Sequence, residues 1–157
     1  MAVQPIPAGY HTITPHIVVH DAVAAIEFYT RAFGAEVLCK MAAPNGKIMH
    51  AEIKIGDSII MLGEEMRDCG NMAPTSLGGT PCSMHLYVQN ADEAFEQAMR
   101  AGATMKMPVQ EMFWGDRFGQ VTDPFGHQWS LATHVKDVTP AEMEEGMKAC
   151  MKQAASV

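Results

Sequence analysis

Three groups of residues in this 157-residue chain could do chemistry. His16 and His85 sit in two short strand-like segments, PHIVVH and MHLYV. His50 and Glu52 are two apart in the alternating stretch MHAEIKI, so a strand puts both side chains on one face. An imidazole beside a carboxylate supplies a general base or part of a divalent-metal site. Glu52 would serve as a base only if burial raised its pKa, and a solvated strand carboxylate is the plainer reading. Trp114, Asp116 and Arg117 form the third group. They read either as an aromatic wall with a guanidinium for an anionic or carbonyl substrate, or as an Asp116–Arg117 brace with Trp114 covering the core. Cys39 and Cys82 have no neighbouring base and read as buried structural thiols. No Ser-His-Asp order, phosphate loop or dinucleotide fingerprint is present.

The elements that must carry these residues occur twice. A β-branched strand at 12–20 is followed by Asp21 as a helix N-cap and a helix at 22–33, with Val23, Ile26, Tyr29 and Phe33 at helical spacing. Phe28 and Tyr29 read as core. Gly34 ends the helix, and strands follow at 35–41, 49–55 and 58–62, the last two joined by Gly56-Asp57. The order then repeats: strand 82–88, Asn90 as cap, a helix to Ala101 stopped by Gly102, and strands 104–111, 118–122 and 128–133. Laid on each other, the halves match His16 with His85 and Thr14 with Ser83. In GDRFGQVTDPFGHQWSLAT, Pro124 presets the turn and Gly126 supplies positive φ, closing the last hairpin.

The expected fold class is therefore α+β, two βαβββ modules at 12–62 and 82–135 curling around one shared concave cavity. Residues 63–81, rich in Gly, Pro, Ser and Asn, read as a linker or a flap over a pocket. A helix at 139–153 opens with the capping box Thr139-Pro140-Ala141-Glu142 and carries Met143, Met147 and Met151 on one stripe. Open sheet edges and that apolar stripe predict a homodimer. The formal charge of −7 and the absence of a basic patch argue against nucleic acid as a partner. No stretch approaches a membrane span, the N-terminus is not a secretory signal, and four scattered cysteines without a C-x-x-C fit a cytoplasmic protein with free thiols.

The repeated βαβββ unit, the FWGDRFG stretch and the Asp123-Pro124-Phe125-Gly126-His127…Leu131 pattern resemble the vicinal oxygen chelate superfamily of glyoxalases, bleomycin-resistance proteins and dioxygenases, in its PhnB-like branch. His127 then looks structural. The resemblance implies one divalent metal held by His and Glu from the first and last strand of each module. The matching positions here are Thr14, Met61, Ser83 and Ser130. Hydroxyls and thioethers replace the water shell of Zn, Ni, Mn or Fe poorly. The expectation is therefore a binder of a small organic molecule, of the sequestering or resistance kind, with no cofactor. Its ligand-binding residues would be Thr14, His16, His50, Met61, Ser83, His85, Trp114, Arg117 and Ser130. One alternative is a metal-dependent lyase, isomerase or dioxygenase with a divalent ion displaced onto His16, His85, His50 and Glu52. Another is a domain without retained ligand chemistry. As cavity-lining groups near the pseudo-twofold axis, His16 and His85 are expected to be close neighbours.

Overall fold

The computed structural model describes residues 3–154. It has two four-stranded mixed sheets, each laid out as βαβββ. The first module contains β1 (His16–Val19), α1 (Ala22–Phe33), β2 (Glu36–Ala42), β3 (Ile48–Ile55) and β4 (Ser58–Glu64), in the order β1-β4-β3-β2. Residues 65–82 hold a 3-10 turn (Arg67–Cys69) and the one-turn helix α2 (Pro74–Leu77). The second module contains β5 (Ser83–Tyr87), α3 (Ala91–Ala101), β6 (Thr104–Glu111), β7 (Asp116–Thr122) and β8 (Gln128–His134), in the order β5-β8-β7-β6. In each sheet the first strand runs parallel to the last and the other pairs are antiparallel. The C-terminal helix α4 is Pro140–Ala154.

The helix ends follow the side chains that precede them. Asp21 accepts from the Ala24 N–H, and Asn90 accepts from the N–H groups of Asp92 and Glu93. In the capping box of α4, Glu142 accepts from the Thr139 N–H while Thr139 Oγ1 accepts from the Glu142 N–H. The first strand is shorter than the β-branched run 12–20 suggests. Pro15 has no N–H for the ladder, so β1 starts at His16 and Thr14 lies in coil. The 63–81 segment is more than a linker. Glu65 accepts from the Ala73 N–H and from Arg67 Nε, and Ala73 and Pro74 are buried.

One core is shared by both modules. Ile17, Val19, Ala51, Ile53, Ile60 and Leu62 from the first sheet and Val121, Trp129 and Leu131 from the second face the packed pair α1 and α3. Phe33 meets Trp129 with ring centroids 4.5 Å apart, and Tyr29 lies 5.4 Å from Trp129. Phe28 and Tyr29 are core residues, as expected, whereas Val23, which shares the helical spacing of Ile26 and Tyr29, is exposed. At the centre is Asp123, which is buried. Its Oδ1 accepts from the N–H groups of Phe125 and His127, and its Oδ2 accepts from Tyr29 Oη at 2.8 Å and Trp129 Nε1 at 2.9 Å. The same turn places His127 Nε2 2.8 Å from the Val18 carbonyl of the other module. Gly126, at φ +88°, lies against Pro74: a Cβ there would sit 2.9 Å from Pro74 Cβ.

Asp123→Ala strands two side-chain donors and two backbone donors in the core. Each buried donor left unpaired costs about 1–3 kcal/mol, so the expected loss of unfolding free energy is at least about 3 kcal/mol. Tyr29→Phe removes one donor only and should cost about 1 kcal/mol. Urea unfolding of both variants checks the ranking; equal losses would contradict the network.

Candidate functional site

Period-2 alternation divides each sheet into a core face and an open face. Strand register then sets the open-face residues of each sheet in a row. In the first sheet His16 pairs with Met61, Met61 with Glu52, and Glu52 with Cys39. In the second, His85 pairs with Ser130, Ser130 with Gln120, and Gln120 with Met107. The two rows are equivalent positions of the repeat, and ring packing repeats as well. His16 stacks on His50 at 6.3 Å, and His85 stacks on Phe118, the counterpart of His50, at 5.8 Å.

The four superfamily-type positions do not fit a divalent ion. Ser83 Oγ and Ser130 Oγ are 3.3 Å apart, Gln120 Nε2 donates to Ser130 Oγ, and Ser83 Oγ also donates to the Gln128 carbonyl. Thr14 Oγ1 donates to the His11 carbonyl. Met61 offers only a thioether. These groups satisfy one another or the backbone, and neutral hydroxyls and amides are poor replacements for a transition-metal water shell.

The other expected residues are distributed over several places. Thr14, Ser83 and His85 line a cavity of about 260 Å³ at the junction of the modules, with Ile59, Met84 and Trp129 in its wall. Met61 and Glu52 line a second, of about 460 Å³, under the N-terminal residues Pro5–Thr14 with Tyr10. His16 lines a third, of about 220 Å³, against Pro74, Leu77 and His127. The two histidines expected to be neighbours thus have separate surroundings: His16 has His50, while His85 has Tyr87 and Phe118. Partial burial, and then the nearby His50, hold the His16 imidazole below its usual pKa.

The role of Arg117 changes, and of the two readings of Glu52 the catalytic one falls. Arg117 is on the core-side face of β7, where it makes a bidentate pair with Asp92 at the N-terminus of α3. It braces that helix and does not point toward the open-face row. Its brace partner is Asp92, not Asp116. Glu52 is no raised-pKa base. Hydrogen bonds from Tyr10 and His50 hold it below the usual carboxylate range, while the same bond lifts the Tyr10 hydroxyl to about 12. Cys39 and Cys82 also depart from the buried thiols expected: Cys39 is half-buried and Cys82 is exposed, as are Cys69 and Cys150. Cys39, a structural thiol by its sequence setting, joins the chemical groups of the first sheet. Its Sγ lies with ligand atoms of His50 and Glu52 in a group all within 4.8 Å of one another, the one such group of three among the described residues.

Trp114 belongs to a separate polar knot. Its Nε1 donates to Asp116 Oδ2, as does Tyr87 Oη, and it packs edge-on against Phe118. Asp116 is buried, and His134 binds its Oδ1 through Nδ1 at 2.7 Å and Asp137 through Nε2 at 3.0 Å. Gly115 opens this loop at φ +95°. A Cβ there would sit 1.9 Å from the Lys136 carbonyl oxygen, so the C-terminal segment can cross only glycine.

Asp137 and Asp116 raise the His134 pKa above 6.5. Its unfolded value is near that figure, so the charged pairs contribute stability fully below about pH 6.5 and lose it as pH rises through the higher folded value. The urea midpoint should fall over that window, and His134→Gln should remove that part of the slope. A wild-type midpoint with no such fall would refute the charged pairing.

Among the described residues no helix is long and apolar enough to cross a membrane. An uncharacterized protein of Mycobacterium tuberculosis is 43% identical over 152 residues, covering 95% of this chain and 87% of that protein. YjdN of Escherichia coli K12 is 28% identical over 127 residues, covering 68% of this chain and 84% of YjdN. Among solved structures, TioX from Micromonospora sp. ML1 superposes with a TM-score of 0.62 at 25% identity, covering 80% of this chain and 99% of TioX. A PhnB protein from Bacillus cereus shares the fold, with a TM-score of 0.61 at 18% identity, over 78% of this chain and 99% of its own. The family model for the Glyoxalase/Bleomycin resistance protein/Dioxygenase superfamily matches residues 9–131, and with the paired βαβββ sheets this places the chain in that superfamily.

Proposed function

We propose that this protein binds a small organic molecule, in the manner of a sequestering or resistance protein, with no metal ion at the superfamily-type positions. The observation that carries the reading is the state of those positions. Thr14, Ser83 and Ser130 are hydroxyls already bonded within the protein, and Met61 is a thioether. Beside them is the junction cavity, whose walls are mainly Ile13, Ile59, Met84, Leu86 and Trp129, with Thr14, Ser83 and His85 as polar contacts. Apolar walls with a few fixed donors and acceptors suit recognition by shape and one or two hydrogen bonds. About 260 Å³ is slightly below the ~300 Å³ at which pockets for drug-sized ligands begin, which favours a compact ligand. Met84 gives the wall an adaptable thioether.

The protein acts in this reading as a homodimer in the cytoplasm. Support for a dimer is the apolar surface a single chain leaves uncovered: Val37, Leu38 and Met41 on edge strand β2, Met105 on edge strand β6, and Met147 and Met151 on α4.

A thermal-shift panel of compact organic compounds on chelator-treated protein tests the reading. Hits should stabilise the protein without added metal. The double change Ser83→Ala, His85→Ala should weaken a hit about tenfold, the worth of one or two hydrogen bonds, while Arg117→Met should leave its affinity unchanged. Binding that appears only after metal is restored would overturn the proposal. Sedimentation checks the assembly separately: a monomer of 17.1 kDa at micromolar concentration would refute the dimer.

A further inference from the structure

The geometry points to a second site on the first sheet: we propose that Cys39, His50 and Glu52 bind one divalent ion of the zinc class, apart from the superfamily-type positions. Cys39 on β2 is the register partner of Glu52 on β3, and His50 is one pleat away on the same strand and face. His50 Nε2 and Glu52 Oε1 are 3.1 Å apart, and Cys39 Sγ completes a group whose donor atoms all lie within 4.8 Å of one another. Metal bonds of about 2.0–2.3 Å in a tetrahedron need donor separations of roughly 3.3–3.6 Å. His50 and Glu52 already stand close to that spacing, and Cys39 lies within 4.8 Å of both.

The β2–β3 register shifts between Val37 and Cys39 and again between Met41 and Ala42, so irregularities bracket the cysteine. The bulged edge strand is common to both modules, since register shifts also flank Met107, the counterpart of Cys39, and what differs is the side chain it carries. Tyr10 stands beside Glu52 in the wall of one cavity, where its hydroxyl is placed to support the carboxylate. Glu52 and Tyr10 line the cavity of about 460 Å³, so a fourth coordination position would open there, to water or to a ligand oxygen.

The donor set selects the ion. One thiolate, one imidazole and one carboxylate suit zinc or cobalt(II) and disfavour magnesium and calcium, which take oxygen shells. Binding would release the Cys39 thiol proton to solvent, with no redox change. The repeat supplies an internal contrast. The equivalent open-face positions of the second module are Met107, Phe118 and Gln120, which pack the same kind of sheet without a metal-binding set. A packing requirement alone therefore does not call for Cys, His and Glu. The inference goes beyond small-molecule binding at the module junction and does not depend on it.

Cobalt(II) titration of the reduced full-length protein tests the site. One equivalent should bind, with a near-ultraviolet thiolate-to-cobalt charge-transfer band and the intense visible bands of four-coordinate cobalt, and stoichiometric zinc should bleach both. Cys39→Ser should abolish the charge-transfer band, and His50→Ala or Glu52→Gln should each lower affinity at least tenfold. Cys69→Ser, at an exposed thiol elsewhere, should leave the spectrum unchanged. Absence of saturable binding at micromolar protein, or a charge-transfer band that survives in Cys39→Ser, would overturn the proposal. Small-molecule binding measured in chelator has its own outcome, so failure of one proposal is distinguishable from failure of the other.

Discussion

A buried carboxylate at the centre of the shared core ties the two halves of this fold to each other, together with the packing of α1 on α3. Asp123 belongs to the last hairpin of the second module, yet one of its four donors is Tyr29 Oη from the first helix of the first module. An ion out of water is tolerated only where its lone pairs are met, and here four N–H and O–H groups meet them. The geometry that satisfies Asp123 also fixes the turn, sets Trp129 between Tyr29 and Phe33, and brings His127 to the Val18 carbonyl. Closure of the hairpin and a polar link between the modules thus meet at one group. Pro74 against Gly126 brings the connecting segment to the same turn.

The modules are joined through α1, α3 and the core faces of both sheets, which leaves the side chains of the open faces freer to differ. The two equivalent rows show the consequence. His16, Met61, Glu52 and Cys39 in one sheet correspond to His85, Ser130, Gln120 and Met107 in the other. Only the histidine is common to both. The same backbone therefore presents a set of thiol, imidazole and carboxylate groups on one side and a hydroxyl-amide cluster on the other. Superfamily membership fixes the frame, and the chemistry belongs to individual side chains on it.

Much of the frame was legible in the sequence because its signals are local. Asp21, Asn90 and Thr139 cap the helices they precede, and the Asp123 turn closes where Pro124 and Gly126 place it. The site was less legible because it depends on register between strands distant in the chain. His50 and Glu52 could be put on one face from their spacing, but nothing local places Cys39 opposite Glu52, least of all across irregular pairing. Arg117 was misplaced for a simpler reason. The sequence pattern starts the strand at 118, whereas β7 starts at Asp116, and alternation from there turns Asp116 and Phe118 to the open face and Arg117 to α3. Thr14 was read within a strand that Pro15 shortens.

The different demands on core and open face also explain how the superfamily-type positions can hold Thr14, Met61, Ser83 and Ser130 in an unaltered frame. Removing a carboxylate or imidazole from a core position would strand partners or leave a cavity. At Met61, Ser83 and Ser130 neither penalty arises. The serines find each other and Gln120, and the thioether borders a cavity already open. Asp123 has no such freedom, since any replacement must satisfy four donors at once. The contrast between a tolerant open face and an intolerant core carboxylate follows from hydrogen-bond counting alone. It accounts for a chain whose turn motif remains readable while its superfamily-type ligand positions do not.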